Sequence, residues 1–327
     1  MISRRALLRQ FAFLAAGLGA AWWVRERYLF PKPVVEFPAG QSGGGWMPLP
    51  DPGGLIELPA HVNGIPIRAV VDSGAQFSAI DRTFAERLGL KPALIPMLAF
   101  GVSGEPAVTH TVALDLAIGP MQVVGLHAAA LDLLSLSGAM RRPFALLLGR
   151  DLLSQVAADV DWPNGRVALM RPEAFQAPPD AQLAPTRSRN RALMTEVSIE
   201  DGAPVEVMVD TGATSEIALS EPVAGKLGLL RGRPMQTGRS VSLGGLSRDR
   251  VVRAASVEFA GRRLSDVEVQ IFTPAVQGPM PDGLLGVGIL RRYRVGLDLG
   301  PGLLWLAGPG GAAPARPDRA HAIMGAR

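Results

Sequence analysis

Two carboxylates of this chain stand in near-identical surroundings. Asp72 lies in "RAVVDSGAQFSAID", residues 68–81, and Asp210 in "VEVMVDTGATSEIALS", residues 205–220. Each closes an apolar, strand-like run and opens a turn made of Asp, a hydroxyl residue, Gly and Ala. Turn chemistry alone accounts for one such tetrapeptide, since short polar side chains satisfy local backbone and glycine accepts positive φ. It gives no reason for the same type to occur twice. Two carboxylates held a few Å apart cannot both ionise easily, so they hold one proton between them over a wide pH range. One is then a base and its partner an acid. A water between them would lose a proton to the base while the acid polarises a carbonyl. That chemistry hydrolyses an amide without a metal, a thiol or a covalent intermediate.

The composition offers no rival chemistry. There is no Cys, which excludes disulfides, thiolate metal sites, a Cys nucleophile and a lipidated N-terminal Cys. The four His, at 61, 110, 127 and 321, are dispersed without ligand-like spacing. No metal and no cofactor is therefore expected. The net charge is +4, but the basic residues are mostly Arg and scattered, with no stripe interleaved with aromatics, so nucleic acid is not an expected partner. Hydrophobic residues make up 48% of the chain and charged residues 19%, which suits a well-buried globular body. "GVSGE" lacks the second glycine position of a nucleophile elbow, and "AGK" at 224–226 lacks the glycine of a phosphate loop.

The elements that must position the carboxylates occur twice, in register. Gly64 precedes Asp72 by 8 positions, and Gly202 precedes Asp210 by 8. A short helix follows each motif. Asp81 can cap "RTFAERL" with Gly89 beyond its end, and Ser220 can cap "EPVAGKL" with Gly228 beyond it. Glycine-tipped stretches, "AFGVSGEPAV" and "SVSLGGLSRD", then sit between strand-like runs and read as hairpins. "ALLLGRDLL" matches "DGLLGVGIL", with 77 positions from Asp72 to Gly149 and 76 from Asp210 to Gly286. Each half closes on a hairpin, "VDWPNGRVALM" and "LDLGPGLLWLA". Asn164-Gly165 suits a type I′ turn there, and Asp161 and Asp298 read as turn caps.

The paired "VVDSGA" and "MVDTGA", each followed by "LLG", resemble the aspartic peptidases of the retropepsin-like family, and "LLLGRDLL" is close to that family's Gly-Arg-(Asn/Asp)-Leu-Leu pattern. The resemblance spans about Leu55 to Leu306. It implies an all-β, bilobal acid-protease fold of two similar retropepsin-like β-barrel lobes with short helices. The family's monomer usually carries one motif and dimerises, so this chain would be a monomeric pseudo-dimer acting on a protein or peptide substrate. Asp72 and Asp210 would be the catalytic pair. Ser73 and Thr211 would send hydroxyls across the pseudo-two-fold to brace the opposite loop. Gly74 and Gly212 would let the backbone approach and donate N–H groups, with Ala75 and Ala213 completing the loops. Leu147, Leu148 and Gly149, with Leu284, Leu285 and Gly286, would pack beneath those loops. Gly101, Val102, Ser103 and Gly104, with Leu243, Gly244 and Gly245, would form two flaps over an extended peptide.

Two departures stand out. The family's Arg in this pattern usually pairs with an Asp soon after the acidic motif, but Gln76 and Phe77 stand there, so Arg150 needs another partner. The second copy has Val287 in place of Arg150. Ala75 and Ala213 cannot donate a side-chain hydrogen bond that would lower a carboxylate's pKa, so a weakly acidic to near-neutral optimum is expected rather than one near pH 2–3. Outside catalysis, the alternative is a catalytically silent peptide-binding module on the same fold. A structural β-protein whose acidic motifs are turns only is a third reading.

The N-terminus reads as an address. "SRRALLRQ" precedes the apolar run "FAFLAAGLGAAWWV" and then "RER", the pattern of an export signal. Paired Arg4-Arg5 followed by Leu7-Leu8 resembles a twin-arginine signal. Trp22-Trp23 beside Arg25 suits an interfacial anchor. Cleaved signal and retained inner-membrane tether are both open. The positive-inside bias sends the body across the membrane, to a periplasmic or otherwise exported location. The expected organisation is a signal or anchor at 1–30, a Gly/Pro-rich leader at 31–54 and an N-terminal lobe at 55–170. A linker at 171–190, a C-terminal lobe at 191–307 and a disordered tail at 308–327 follow.

Overall fold

The computed structural model describes residues 31–51, 54–99, 107–138, 143–189, 191–242, 245–274 and 281–308. The first half runs β1 (Val34–Glu36), β2 (Met47–Pro48), β3 (Ile56–Val62), β4 (Ile65–Val71), β5 (Ala79–Asp81), α1 (Arg82–Arg87), β6 (Pro92–Ala99), β7 (Ala107–Ile118), β8 (Met121–Leu131), α2 (Leu133–Gly138), β9 (Leu146–Leu148), α3 (Arg150–Leu153), β10 (Ala157–Asp161) and β11 (Arg166–Met170). The second runs β12 (Gln182–Leu183), β13 (Thr186–Arg189), β14 (Ala192–Ile199), β15 (Val205–Asp210), β16 (Ile217–Ser220), α4 (Glu221–Lys226), β17 (Gln236–Ser242), β18 (Gly245–Phe259), β19 (Arg262–Phe272), β20 (Gly283–Gly286), α5 (Val287–Leu290), β21 (Arg294–Asp298) and β22 (Leu303–Ala307).

The all-β, two-lobed architecture is as the repeat requires. In the N-terminal lobe β8, β5, β9, β4, β3 and β7 follow one another and close through the β7–β8 pairing. In the C-terminal lobe β19, β16, β20, β15, β14 and β18 do the same in the same order, closing through β18–β19 and β14–β18. Closure gives every strand of each six-stranded ring a partner on both sides. In each ring a strand leading to the acidic motif runs parallel to a "LLG" strand, β4 beside β9 and β15 beside β20.

A third, six-stranded sheet ties the lobes together, in the order β12-β22-β21-β10-β11-β2. Its centre is the antiparallel pairing of β10 with β21, with Ala158 opposite Leu297 and Val160 opposite Val295. Here the structure corrects the reading of 31–54 as leader and 171–190 as linker. Met47–Pro48 pairs with β11, and Gln182–Leu183 pairs with β22, so each segment supplies an outer strand of the shared sheet. Val34–Glu36 also pairs with β8. Phe37, Met47 and Leu49 are buried, and the Phe175 ring lies over Gly296, 4.9 Å from the Trp305 ring. The segment is thus woven along the lobe and the shared sheet.

Turns follow local chemistry with one exchange. Asn63 and Gly64 both have positive φ and join β3 to β4, the two-residue type I′ hairpin. At Asn164-Gly165 only Gly165 is left-handed, at φ 61°, after a 3-10 turn over Trp162–Asn164. That connection is four residues long and is not the expected type I′ turn. Asp161 accepts from Asn164 N there at 3.3 Å and from Arg166 Nε at 2.9 Å. Helix α1 is capped by Asp81, which accepts from Phe84 N at 3.0 Å, whereas Ser220 makes no side-chain cap on α4.

One apolar core runs through both rings and the shared sheet, from Ile56 and Leu58 through Val160 and Trp162 to Leu297 and Leu304. Two smaller clusters lie apart from it and mirror each other. One gathers Val70, Ala75, Leu131 and Leu147, and the other Met208, Ala213, Phe272 and Leu284. Among the described residues no helix is long and apolar enough to cross a membrane. The export segment at 1–30 and the tail beyond 308 lie outside the described residues.

Candidate active site

Strand alternation sets the two carboxylates apart from the core. Val71 on β4, with Val207 and Val209 on β15, belongs to the main core, while Val70 and Met208 belong to the smaller clusters. Side chains two apart on a strand share a face. Val70 and Asp72 therefore point one way, as do Met208 and Asp210, away from the main core. Both carboxylates are fully buried.

A reciprocal lattice of hydrogen bonds joins the turns. Ser73 N donates to Thr211 Oγ1 at 2.9 Å, and Thr211 N donates to Ser73 Oγ at 3.0 Å. The Ser73 hydroxyl donates to Val209 O at 2.8 Å, and the Thr211 hydroxyl to Val71 O at 2.9 Å. Each turn is thereby fixed to the strand that carries the opposite carboxylate. Within its own turn, Asp72 Oδ1 accepts from Gly74 N and Ala75 N, both at 2.9 Å, and Asp210 Oδ1 accepts from Gly212 N at 2.8 Å. Among the described residues no backbone N–H and no side chain outside the pair reaches the Oδ2 atom of either.

The glycines are dictated by this contact. A Cβ on Gly74 would lie 2.5 Å from Asp210 Cγ, and one on Gly212 would collide in the same way with the carboxylate of Asp72. The "LLG" segments lie under the turns. Asp72 N donates to Leu148 O at 3.0 Å, Arg150 N to Ala75 O at 2.9 Å and, in the other lobe, Val287 N to Ala213 O at 2.8 Å. A Cβ on Gly149 would fall 2.5 Å from the Phe77 carbonyl carbon.

Electrostatics follow from burial. Loss of solvent, then the Asp210 charge, pushes the Asp72 carboxyl well above its ordinary range, against the N–H groups of Ala75 and Gly74. Burial also raises Asp210, to about 6, opposed by the Gly212 N–H, a hydrogen bond with Asp72 and the nearby positive charge of Arg150. The pair as a whole therefore holds one proton over a wide pH range.

The two lobes brace their turns with opposite arrangements. In the first, Asp151 on α3 accepts from Ser78 N at 3.0 Å and from Ser78 Oγ at 2.8 Å, and the same hydroxyl accepts from Gly149 N at 3.0 Å. In the second, the positions equivalent to Ser78 and Asp151 are Glu216 and Gly288. The carboxylate now sits on the loop, pairs with Arg292 and accepts from Glu268 N at 2.7 Å. A Cβ on Gly288 would lie 2.7 Å from Glu216 Cγ, so the helix gives up its side chain to make room. Sequence reading missed this exchange, although placing 78 beside 216 and 151 beside 288 in the repeat shows it. Among the described residues no carboxylate hydrogen-bonds to Arg150, although the charges of Asp72, Asp210 and Asp151 act on it. It is buried, with Nη1 3.8 Å from Met208 Sδ of the other lobe and Nε without a partner.

Of the expected flap residues, Gly101 to Gly104 and Leu243–Gly244 lie outside the described residues. The arms that carry them are present. β6 and β7 pair up to Ala99 opposite Ala107, and β17 and β18 pair up to Ser242 opposite Gly245, the first residue of β18.

The family model described as "Aspartyl protease" matches residues 58–152 and 195–289, one segment per lobe and together more than half of the chain. No curated protein matches. Among solved structures, the chain is similar to a retropepsin-like aspartic protease from Rickettsia conorii, at 22% identity and a TM-score of 0.31, over 40% of this chain and 95% of that one. With two copies of its family's segment in one polypeptide, the chain belongs to the aspartyl protease family.

Proposed function

We propose that this chain is an exported aspartic endopeptidase that hydrolyses peptide bonds with a water activated by Asp72 and Asp210. The observation that carries the reading is the Ser73–Thr211 lattice, which holds two buried carboxyls together with neither Oδ2 taken by another described residue outside the pair. In the one-proton state the two carboxyls share a proton and a charge, and the reaction starts from the form with the proton on Asp72. The water oxygen attacks the carbonyl carbon, its proton passes to Asp210, and the proton of Asp72 moves to the carbonyl oxygen. A neutral gem-diol results. As the C–N bond breaks, Asp210 delivers its proton to the leaving nitrogen and a hydroxyl of the diol returns one to Asp72. The pair ends as it began. Both carboxylates come from one chain, so the site is complete without a second copy.

The arms β6–β7 and β17–β18 give the cleft two walls between which an extended peptide would pair by its backbone. Export rests on the basic and apolar pattern of residues 3–24, with the body on the far side of the membrane and the segment either removed or kept as a tether. Fractionation that finds the full-length chain wholly in the cytoplasm would remove that part.

The test is cleavage of a randomised peptide library across pH by the parent, Asp72→Asn and Asp210→Asn, with folding checked for all three. Cleavage by the parent, strongest at weakly acidic to neutral pH and lost in each variant, is the expected result. A folded parent that binds peptides and cuts none is a silent binding module. Cleavage that survives either substitution rejects the shared pair.

A further inference from the structure

We propose that Arg150 recognises a carboxylate of the substrate, an acidic side chain or a chain-terminal carboxyl, on one side of the cleft and within about two residues of the bond that is cut. The proposal rests on the reading of the Asp72/Asp210 pair as a peptide-cleaving site.

Arg150 is 5% exposed. A guanidinium carries five N–H donors, and buried ones need oxygen acceptors. Among the described residues its side chain meets the thioether of Met208, a weak acceptor, at 3.8 Å, and Nε has no partner. Gln76 and Phe77, which follow the Asp72 turn, bring no carboxylate and are partly exposed. The adjacent carboxylate of Asp151 is taken by Ser78. Among the described residues no carboxylate hydrogen-bonds to the guanidinium; the charges of Asp72, Asp210 and Asp151 act on it through space, and its N–H donors are left for an incoming carboxylate.

Its place fixes where that carboxylate would be. Met208 is two residues before Asp210 on β15 and shares its face, so it stands about 7 Å along the strand from Asp210, with the guanidinium against its thioether. A substrate in extended form advances about 3.4 Å per residue, which gives one or two residues. The pseudo-two-fold mate of Arg150 is Val287, buried in the apolar core. The opposite side of the cleft thus has no equivalent cation, and the preference is one-sided. Of the charges acting on the guanidinium, those of Asp72 and Asp210 come first and favour its charged form, and that of Arg191 opposes them.

A buried cation without a matching acceptor costs stability, whereas a structural brace adds to it. The two roles therefore predict opposite thermal shifts for Arg150→Met. The experiment uses the full-length chain with peptide pairs differing only as Glu or Gln at each position, once with amidated ends and once with a free terminal carboxylate. Cleavage ratios are read for the parent, Arg150→Met and Arg150→Lys. Binding of the same peptides is read on Asp72→Asn and on Asp72→Asn/Arg150→Met. The ratio is informative because both members of a pair meet the same carboxyl dyad. Expected is a preference of about 10- to 100-fold for the carboxylate at one position. It would be retained in part by Arg150→Lys and would collapse to near unity in Arg150→Met, whose Tm rises by several degrees. Preference in the amidated set names the side chain as the source, and preference only in the free-ended set names the terminus. If nothing is cut yet binding shows the Arg150-dependent preference, the peptidase reading fails and the subsite stands. No carboxylate preference in either readout, or a preference untouched by Arg150→Met with a lowered Tm, overturns the proposal.

Discussion

Ser73 and Thr211 exchange backbone N–H for side-chain oxygen in both directions, at 2.9 and 3.0 Å, and each passes its own hydroxyl proton to a carbonyl of the opposite strand. Four bonds across the lobe boundary therefore rest on two side chains. All the groups are buried, so a missing partner is not replaced by solvent.

Ser73→Ala strands Thr211 N and Val209 O together. At about 1–3 kcal/mol for each unsatisfied buried group, the cost is on the order of 2–5 kcal/mol, with loss of alignment of both carboxyls. Ser73→Thr restores the hydroxyl that Thr211 already provides at the mirror position, and recovers most of the stability and cleavage. Chemical denaturation of the two variants checks this. Equal stability of Ser73→Ala and parent would show that the lattice does not hold the lobes in register.

Gly74→Ala and Gly212→Ala each drive a methyl group into the opposite carboxylate. Backbone shifts of the order of 1 Å at the reacting groups cost about 10²-fold in rate. Both variants should lose at least that factor in kcat. A variant that cleaves like the parent would mean that the carboxyls do not meet as the structure places them.

The pair, the bracing hydroxyls and the glycines were legible because the repeat writes each of them twice, and a feature that recurs in register is read with its partner. The flanking strands were not. Met47–Pro48 and Gln182–Leu183 are two residues long, too short for a period-2 pattern, and their partners lie more than a hundred positions away in sequence. Composition alone made them look like leader and linker. The exchange of Ser78/Asp151 for Glu216/Gly288 was hidden for another reason. Each residue is unremarkable alone, and only the complementary loss of a side chain on Gly288 explains the carboxylate on Glu216.

Removal of residues 31–54 takes away Phe37, Met47 and Leu49 with the outer strand on β11. At about 1.5–3 kcal/mol per buried side chain the loss is on the order of 5–9 kcal/mol, comparable to the whole stability of a typical domain. A chain beginning at Pro31 should melt cooperatively, and one beginning at Leu55 should be unfolded or aggregated at 37 °C. Circular dichroism on heating separates them. A folded, active Leu55 chain would return these residues to the role of a dispensable leader.

Asp151 gives the fold a pH dependence outside the carboxyl pair. Burial raises its pKa to about 6, against the bonds from Ser78 and Leu152 that favour its charge. The ordinary value is 3.8. A carboxyl whose folded value is raised binds its proton more tightly in the native state. Its contribution to stability is fully present below about pH 4 and is lost as pH rises through about 6. Asn cannot ionise, so Asp151→Asn escapes that loss. The stability of the variant minus that of the parent should therefore increase between pH 4 and pH 8, by about 2–3 kcal/mol at 1.36 kcal/mol per unit. The slope is the observable, because bonds that Asn makes more weakly to Ser78 shift both ends of the range alike. Urea titrations at pH 4, 6 and 8 measure it. A difference that is flat with pH, or that falls, would mean that Asp151 is charged throughout and that its bonds from Ser78 outweigh its burial.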